Sequence, residues 1–180
     1  MTDNAPLNWK LWLLITLAVF ALDQATKIWV HTSFELGYRE ALLPFFNLVH
    51  VHNYGAAFSF LSDQPGWQRW FLLAVTSIIS VVLFVWLTRL QSHQKLLALA
   101  LVFILGGALG NLYDRAVYGY VIDFIDWHYG GYHWPAFNIA DAGISCGAVL
   151  LILDTFINPE SSPEDIADRK NSNSLDSKTD

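Results

Sequence analysis

Two aspartates, Asp123 and Asp141, have the surroundings that most favour chemistry. Asp123 lies in residues 121–126, where polar and apolar residues alternate roughly as in a strand. Asp141 lies near the start of a long apolar segment, and Asn138, three positions earlier, falls on the same face of a helix. Two carboxyl groups held close together in a low-dielectric site share a proton, so that one acts as acid and the other as base. Such a pair can activate water and polarise a peptide carbonyl, as in aspartic proteases.

Other roles are open to these and the neighbouring acids. Each of the two aspartates, taken alone, is compatible with a helix cap or a solvated loop residue. Asp114, next to Arg115, lies nine residues before Asp123 and is assigned to structure, and Asp126 is expected to be solvated. Asp154 is placed near the opposite membrane face, too far away to contribute.

Four apolar segments must position these residues. Residues 70–88 and 96–113 contain no Asp, Glu, Lys or Arg, and about 20 apolar residues span a hydrocarbon core of about 30 Å. Residues 11–30 and 137–157 are apolar with polar interruptions, and ionisable residues inside a span are costly and usually functional. We therefore predict an all-α membrane protein with four transmembrane helices. A signal peptide is the competing interpretation of the first segment.

The composition excludes several other classes. The chain has 180 residues, of which 54% are hydrophobic and 14% charged, and eight are Trp, which excludes a disordered chain. A net charge of -6 argues against a nucleic-acid partner. The single cysteine, Cys146, excludes an internal disulfide and is expected to be buried in the last span.

The segments between the spans predict a small β-sheet on the outer membrane surface. Residues 45–53 and 118–137 mix Phe, Val and Tyr with polar residues, and Gly130-Gly131 signals a turn. The distribution of Lys and Arg favours cytoplasmic termini. Residues 1–157 are predicted to form one membrane domain, and residues 158–180 a disordered cytoplasmic tail without apolar periodicity.

Four blocks of the sequence resemble the bacterial lipoprotein signal peptidase (signal peptidase II) family. Residues 110–124, GNLYDRAVYGYVIDF, are similar to its central signature. Residues 23–27 (DQATK), 53–58 (NYGAAF) and 135–141 (PAFNIAD) are similar to its first-helix, outer-loop and last-helix motifs. The blocks occur in the family's order, and the resemblance covers roughly residues 9–157.

This resemblance implies an intramembrane aspartic endopeptidase with Asp123 and Asp141 as its catalytic pair. It implies cleavage of diacylglyceryl-modified prolipoproteins on the N-terminal side of the lipidated cysteine, with no metal or organic cofactor. The expected location is the bacterial inner membrane, as a monomer in contact with membrane lipid, with the active site near the periplasmic face.

Further polar residues of the motifs are assigned supporting roles. Arg115 is expected to hold a substrate carbonyl or an ionised Asp, the alternative being an interfacial charge. Asp23 and Lys27, at i and i+4 on the first helix, are predicted to form a structural pair. The side chains placed around the catalytic pair are Asn53, Asn111, Arg115 and Asn138.

Two alternative functions and one candidate metal site are considered on the sequence alone. A proton-coupled carrier would use Asp23, Asp123 and Asp141 as a relay, but no internal repeat supports one. A structural membrane subunit would not need polar motifs clustered on one side. His50 and His52 share a strand face, but nothing in the sequence specifies further ligands, so no metal site is expected.

Overall fold

The structure, a computed structural model, describes residues 5–56 and 60–158. All four helices in this part of the chain are long and apolar enough to cross a membrane, and a small antiparallel sheet accompanies them. The predicted fold class is therefore confirmed. The predicted tail, 158–180, lies outside the described residues except for Asn158, which caps the last helix. The elements in chain order are α1 (Trp9–Ser33), β1 (Arg39–Leu43), β2 (Phe46–Asn53), α2 (Trp67–Thr88), α3 (Lys95–Val117), β3 (Val121–Tyr129), β4 (Tyr132–His133) and α4 (Ile139–Ile157).

Three helices extend beyond the predicted spans, and one begins later. α3 continues past Asp114 and Arg115 because both side chains are buried and bonded inside the protein rather than marking an aqueous end. α4 begins at Ile139, two residues later than predicted, because Asn138 is its N-cap.

Helix α3 lies at the centre of the bundle. In its most apolar stretch 61% of the residues are buried, against 17–28% of the residues in the corresponding stretches of the other three helices. Small residues allow this close packing: a Cβ at Gly110 would collide with the Asp23 carboxylate of α1, and one at Gly107 would collide with the Ala140 carbonyl of α4. The glycines of α3 therefore admit α1 and α4 at the level where the polar residues lie.

The four strands form one antiparallel sheet in the order β1-β2-β3-β4, at one end of the bundle. β1 was not predicted from the sequence. In the β2–β3 pair, Val51 lies opposite Asp123 and Asn53 lies opposite Val121. Leu48, Ile122 and Phe124 of the sheet pack with Val30 near the end of α1.

A short backbone connection fixes the start of α4 against β3. The carbonyl of Phe137 accepts from the amides of Phe124 and Ile125 at 3.1 and 2.9 Å, and the Phe137 amide donates to Ile125 at 3.0 Å. Asn138 follows Phe137 directly, so this pairing brings the N-terminus of α4 beside Asp123.

Two expectations about burial are wrong. Asp126 is 3% exposed rather than solvated, because Asn47 donates to its carboxylate at 2.8 Å and Arg39 pairs with it at 2.6 Å. Cys146 is exposed on the surface of α4 rather than buried. Only a small part of α4 faces the bundle, so apolar residues on its other sides belong to the surface that would meet lipid.

Candidate active site

Asn138 contacts both Asp123 and Asp141. Its side-chain amide donates to Asp123 Oδ1 at 2.7 Å. Its side-chain oxygen accepts from the Asp141 amide at 3.0 Å, and its own amide donates to Asp141 Oδ2 at 3.2 Å, which forms a capping box. The N-cap of α4 thereby joins a carboxylate from the sheet to a carboxylate from the helix.

Asp123 is held from a second side by the end of β2. Asn53 donates through Nδ2 to Asp123 Oδ2 at 3.0 Å, and its side-chain oxygen accepts from the Gly55 amide at 3.0 Å. The Gly55 contact fixes which end of the Asn53 amide faces Asp123, since only the NH₂ end can donate. Both oxygens of this buried carboxylate therefore have an amide donor.

Asp141 is held in a matching way by α3. Asn111 donates through Nδ2 to Asp141 Oδ1 at 2.8 Å, while Lys27 Nζ donates to Asn111 Oδ1 at 2.9 Å. Because an ammonium group can only donate, Lys27 sets the orientation of the Asn111 amide.

Lys27 is also the centre of a buried ion cluster. It pairs with Asp23 at 2.9 Å and with Asp114 at 3.0 Å, and each of the three side chains is at most 1% exposed. The ion pair expected between Asp23 and Lys27 is present, and Asp114 adds a second carboxylate from α3.

Further donors complete this cluster. Gln24 donates to Asp114 Oδ1 at 3.0 Å, the Ala140 amide donates to Asp23 Oδ1 at 2.8 Å, and the Ile122 amide donates to Asp114 Oδ2 at 3.2 Å. We name Asp23, Lys27 and Asp114 the ion triad. Sequence analysis missed Gln24, although its position inside the DQATK block was a signal.

Arg115 binds backbone rather than a carboxylate among its described contacts. Its guanidinium donates to the Gly55 carbonyl at 2.7 Å and to the Asn111 carbonyl at 3.4 Å. The carbonyl of Arg115 in turn accepts from Arg69 at 2.9 Å. Arg115 therefore ties the loop after β2 to α3, next to the turn that positions Asn53.

The electrostatics of the site favour a neutral Asp123. Burial is the main cause, and the neighbouring charge of Asp141 adds to it; together they raise the pKa of Asp123 to about 7, against the opposing hydrogen bonds from Asn53 and Asn138. Asp141 lies in the first turn of α4, where the backbone N–H dipoles interact favourably with a carboxylate. The arrangement thus places a carboxyl group with a raised pKa beside a second carboxyl group at a helix N-terminus.

Within the described residues, one group of side chains could hold a metal ion, and it includes neither Asp123 nor Asp141. One ring nitrogen from each of His31, His50 and His52 lies within 4.8 Å of the other two. From the sequence, His50 and His52 were placed on one strand face, but no metal site was predicted. The third member, His31, could not be placed, because its position relative to β2 depends on the fold.

Fold and site together define a multi-spanning membrane protein. Where its helices meet a small sheet, it holds two aspartates that are both hydrogen-bonded to Asn138. A family profile described as Signal peptidase (SPase) II matches residues 15–157. The chain is 53% identical over 151 residues to a lipoprotein signal peptidase of Alteromonas mediterranea, covering 84% of this chain and 83% of the relative. The chain belongs to the signal peptidase II family, and it is a multi-pass bacterial membrane peptidase of lipoprotein maturation.

Further comparisons agree with this membership. A lipoprotein signal peptidase of Cellvibrio japonicus is 50% identical over 160 residues, covering 89% of this chain and 94% of the relative. A solved structure described as a bacterial membrane enzyme aligns with a TM-score of 0.76 at 31% identity, covering 88% of this chain and 98% of that chain.

Proposed function

We propose that the protein is an aspartic endopeptidase in which Asp123 and Asp141 are the catalytic residues. The observation that carries this proposal is the double contact of Asn138, whose side chain and backbone together bond to both carboxylates. Asn53 and Asn111 hold one aspartate each, so both carboxylates are oriented before substrate arrives. Preorganised groups of this kind are what general acid–base catalysis requires.

The environments of the two aspartates favour different roles. Asp123 is buried with a raised pKa and acts as the acid; Asp141, at the helix N-terminus, acts as the base. Asp141 takes a proton from water as the water oxygen bonds to the scissile carbonyl carbon, and Asp123 gives its proton to the carbonyl oxygen. The tetrahedral intermediate then collapses: one of its hydroxyl groups returns a proton to Asp123, the C–N bond breaks, and the leaving nitrogen takes the proton that Asp141 removed from water.

The proposed substrates are diacylglyceryl-modified prolipoproteins, cleaved on the N-terminal side of the lipidated cysteine. Support comes from the resemblance of the four sequence blocks and from relatives that carry the name lipoprotein signal peptidase. Anchoring of a lipidated chain in the membrane would supply orientation and effective concentration for the bond to be cut.

The proposed location is the bacterial inner membrane, with cytoplasmic termini, the site near the periplasmic face, and a monomeric enzyme. Exposed aromatic side chains near the sheet-bearing end of the bundle suit the headgroup zone of a bilayer. At the opposite end, Lys10, Arg89 and Lys95 suit a cytoplasmic face. These exposed aromatic residues include Trp29, Trp67, Trp70 and Trp127.

The deciding experiment offers purified protein in detergent the same prolipoprotein with and without the diacylglyceryl group. We expect cleavage of the diacylated form alone, at the bond before the modified cysteine, identified by mass spectrometry. Equal cleavage of both forms would contradict the substrate proposal while leaving a peptidase. Absence of cleavage in both would favour the rival carrier or structural roles.

The activity should fall as pH rises through about 7. Asp123 carries its proton below its raised pKa of about 7 and loses it above, so kcat/KM, which reports the free enzyme, should drop about tenfold per pH unit on the alkaline side. Folding stability should also decrease as the pH rises from 3.8, the unperturbed pKa, to about 7, because the native state binds this proton more tightly than the unfolded chain. The measurement is kcat/KM between pH 5.5 and 8.5 (the bounds chosen to bracket roughly the expected pKa).

Asn53→Ala provides the control for this pH profile. The hydrogen bond from Asn53 lowers the pKa of Asp123, so its removal should move the alkaline limb to higher pH. A rate that instead rises through pH 7 to a plateau would make Asp123 the base and contradict the assignment of roles.

Asn138→Ser should separate capping from catalysis. Serine caps helices about as well as asparagine, so the stability of α4 should change by less than about 1 kcal/mol. Its short hydroxyl cannot reproduce the 2.7 Å bond to Asp123, and kcat should fall by about tenfold or more, the usual effect of losing a residue that orients a catalytic group. Thermal unfolding and kcat are measured on one preparation; Asn138→Ala, which loses both functions, is the comparison. An Asn138→Ser enzyme with unchanged kcat would show that the Asp123 contact is dispensable.

A further inference from the structure

We propose that His31, His50 and His52 form a binding site for a divalent transition-metal ion of the zinc type, separate from the catalytic carboxylates. His31 lies in the last turn of α1, and His50 and His52 lie on one face of β2. We name these residues the histidine cluster. This inference does not depend on the proposed peptidase mechanism.

The spacing of the cluster suits a shared ion. One ring nitrogen from each histidine lies within 4.8 Å of the other two. Zinc–nitrogen bonds of about 2.0–2.1 Å in a tetrahedral site bring ligand nitrogens to about 3.4 Å from one another. Small side-chain rotations of His31 and His52, which are only partly buried, would close the remaining gap.

The unpartnered nitrogens of the cluster also indicate a ligand. Within the described part of the chain, His31 Nδ1, His50 Nε2 and His52 Nε2 are buried without a hydrogen-bond partner. Buried polar atoms nearly always have a partner, so an unpartnered nitrogen on each of three neighbouring histidines needs an explanation. A metal ion would satisfy all three at once.

The backbone orients one of these nitrogens for coordination. His50 Nδ1 lies 2.9 Å from the Phe34 carbonyl, which can only accept a hydrogen bond. Nδ1 therefore carries the proton, and the lone pair is on Nε2. Metal-binding histidines typically donate their second N–H to a carbonyl or carboxylate in this way.

The donor set selects the class of ion. Three imidazoles suit zinc, copper or nickel, whereas magnesium and calcium prefer oxygen ligands. Three protein ligands leave a fourth position for water. The ion would connect the end of α1 to β2, one residue before Asn53, so its first effect would be to stiffen the strand that leads to the site.

The test uses full-length protein in detergent, purified through an affinity tag without histidines and stripped of metal by a chelator. Zinc affinity and stoichiometry are measured by competition with a chromophoric chelator, and cobalt is added separately as a spectroscopic probe. The variants are His31→Gln and His52→Gln; the more deeply buried His50 is left unaltered. His93→Gln is the matched control, because His93 is exposed in the connection between α2 and α3.

We expect about one zinc ion per chain and an affinity lower by at least about tenfold in each cluster variant, with His93→Gln unchanged. Zinc should raise the thermal unfolding midpoint of the unaltered protein but not that of His52→Gln. Circular dichroism confirms that the variants fold, and the cobalt spectrum of the unaltered protein should show the intense bands of a tetrahedral site. A stoichiometry far below one, zinc binding that survives in both cluster variants, or a weak octahedral cobalt spectrum would each overturn the proposal.

Discussion

Asp123→Asn and Asp141→Asn should each lower cleavage of a diacylated prolipoprotein by about 10³-fold or more, while the protein still folds and inserts. Asparagine has nearly the shape of aspartate, but its amide can neither release the proton required of Asp123 nor accept the one required of Asp141. The remaining side-chain oxygen can still accept from Asn53 in Asp123→Asn and from Asn111 in Asp141→Asn. The new NH₂ group then faces the second donor, which comes from Asn138 in both variants, so some stability is lost.

The matched control for this loss is Asp126→Asn. Asp126 lies on the same strand as Asp123 and is equally buried, but its partners are Arg39, Asn47 and His133 rather than the catalytic residues. The Asp126→Asn variant should therefore be less stable than the unaltered protein while keeping most of its kcat. Thermal unfolding and kcat are measured for all three variants. If Asp123→Asn or Asp141→Asn retained a rate near that of Asp126→Asn, the two-aspartate mechanism would be wrong.

The bundle and the neighbourhood of the two aspartates followed from local sequence patterns. Uncharged stretches of about 20 residues predict membrane spans because of helix geometry, and the uncharged residues that follow Asp141 placed it near the start of the last span. Residues that act through contacts distant in sequence did not follow. The burial of Asp126 depends on Arg39 and Asn47 of two other strands, and β1 was not predicted at all.

The dependence on contacts distant in sequence also explains why the histidine cluster was not predicted. Alternation along β2 places His50 and His52 on one face, which the sequence shows directly. The third member, His31, reaches them only because α1 ends beside the sheet, where Val30 packs with Leu48 and Ile122. Periodicity in a sequence places residues within one helix or strand, whereas this site depends on how α1 and β2 lie relative to each other.

Removal of the cation from the ion triad has the second large expected effect. Lys27→Met should destabilise the protein by about 3–5 kcal/mol, because it leaves Asp23 and Asp114 buried without a counterion. For a chain of this length that corresponds to a thermal midpoint lower by roughly 10 °C. Methionine is chosen because it keeps the length and apolar stem of lysine and so limits any packing defect.

The loss should also reach the catalytic residues. Lys27 donates to Asn111 Oδ1, and this contact keeps the Asn111 amide turned toward Asp141. Without the ammonium group only the longer contact from the Asn138 side chain, at 3.4 Å, supports that orientation, so kcat should fall in the fraction of enzyme that stays folded. In the proposed mechanism Lys27 is a positioning residue, since it bonds to neither Asp123 nor Asp141 among its described contacts.

Two further variants separate charge from packing. Lys10→Met removes an exposed lysine from the same helix and should leave the thermal midpoint nearly unchanged. Combining Lys27→Met with Asp114→Asn removes one of the two carboxylates left without a counterion, so part of the lost stability should return. Comparing the stability loss of the double variant with the sum for the two single variants gives the coupling energy within the triad.

The triad joins α1 and α3 directly and reaches β3 and α4 through the amides of Ile122 and Ala140. Because β3 carries Asp123 and α4 carries Asp141, a Lys27→Met protein as stable as Lys10→Met would mean that the elements bearing the catalytic pair are held together by packing alone.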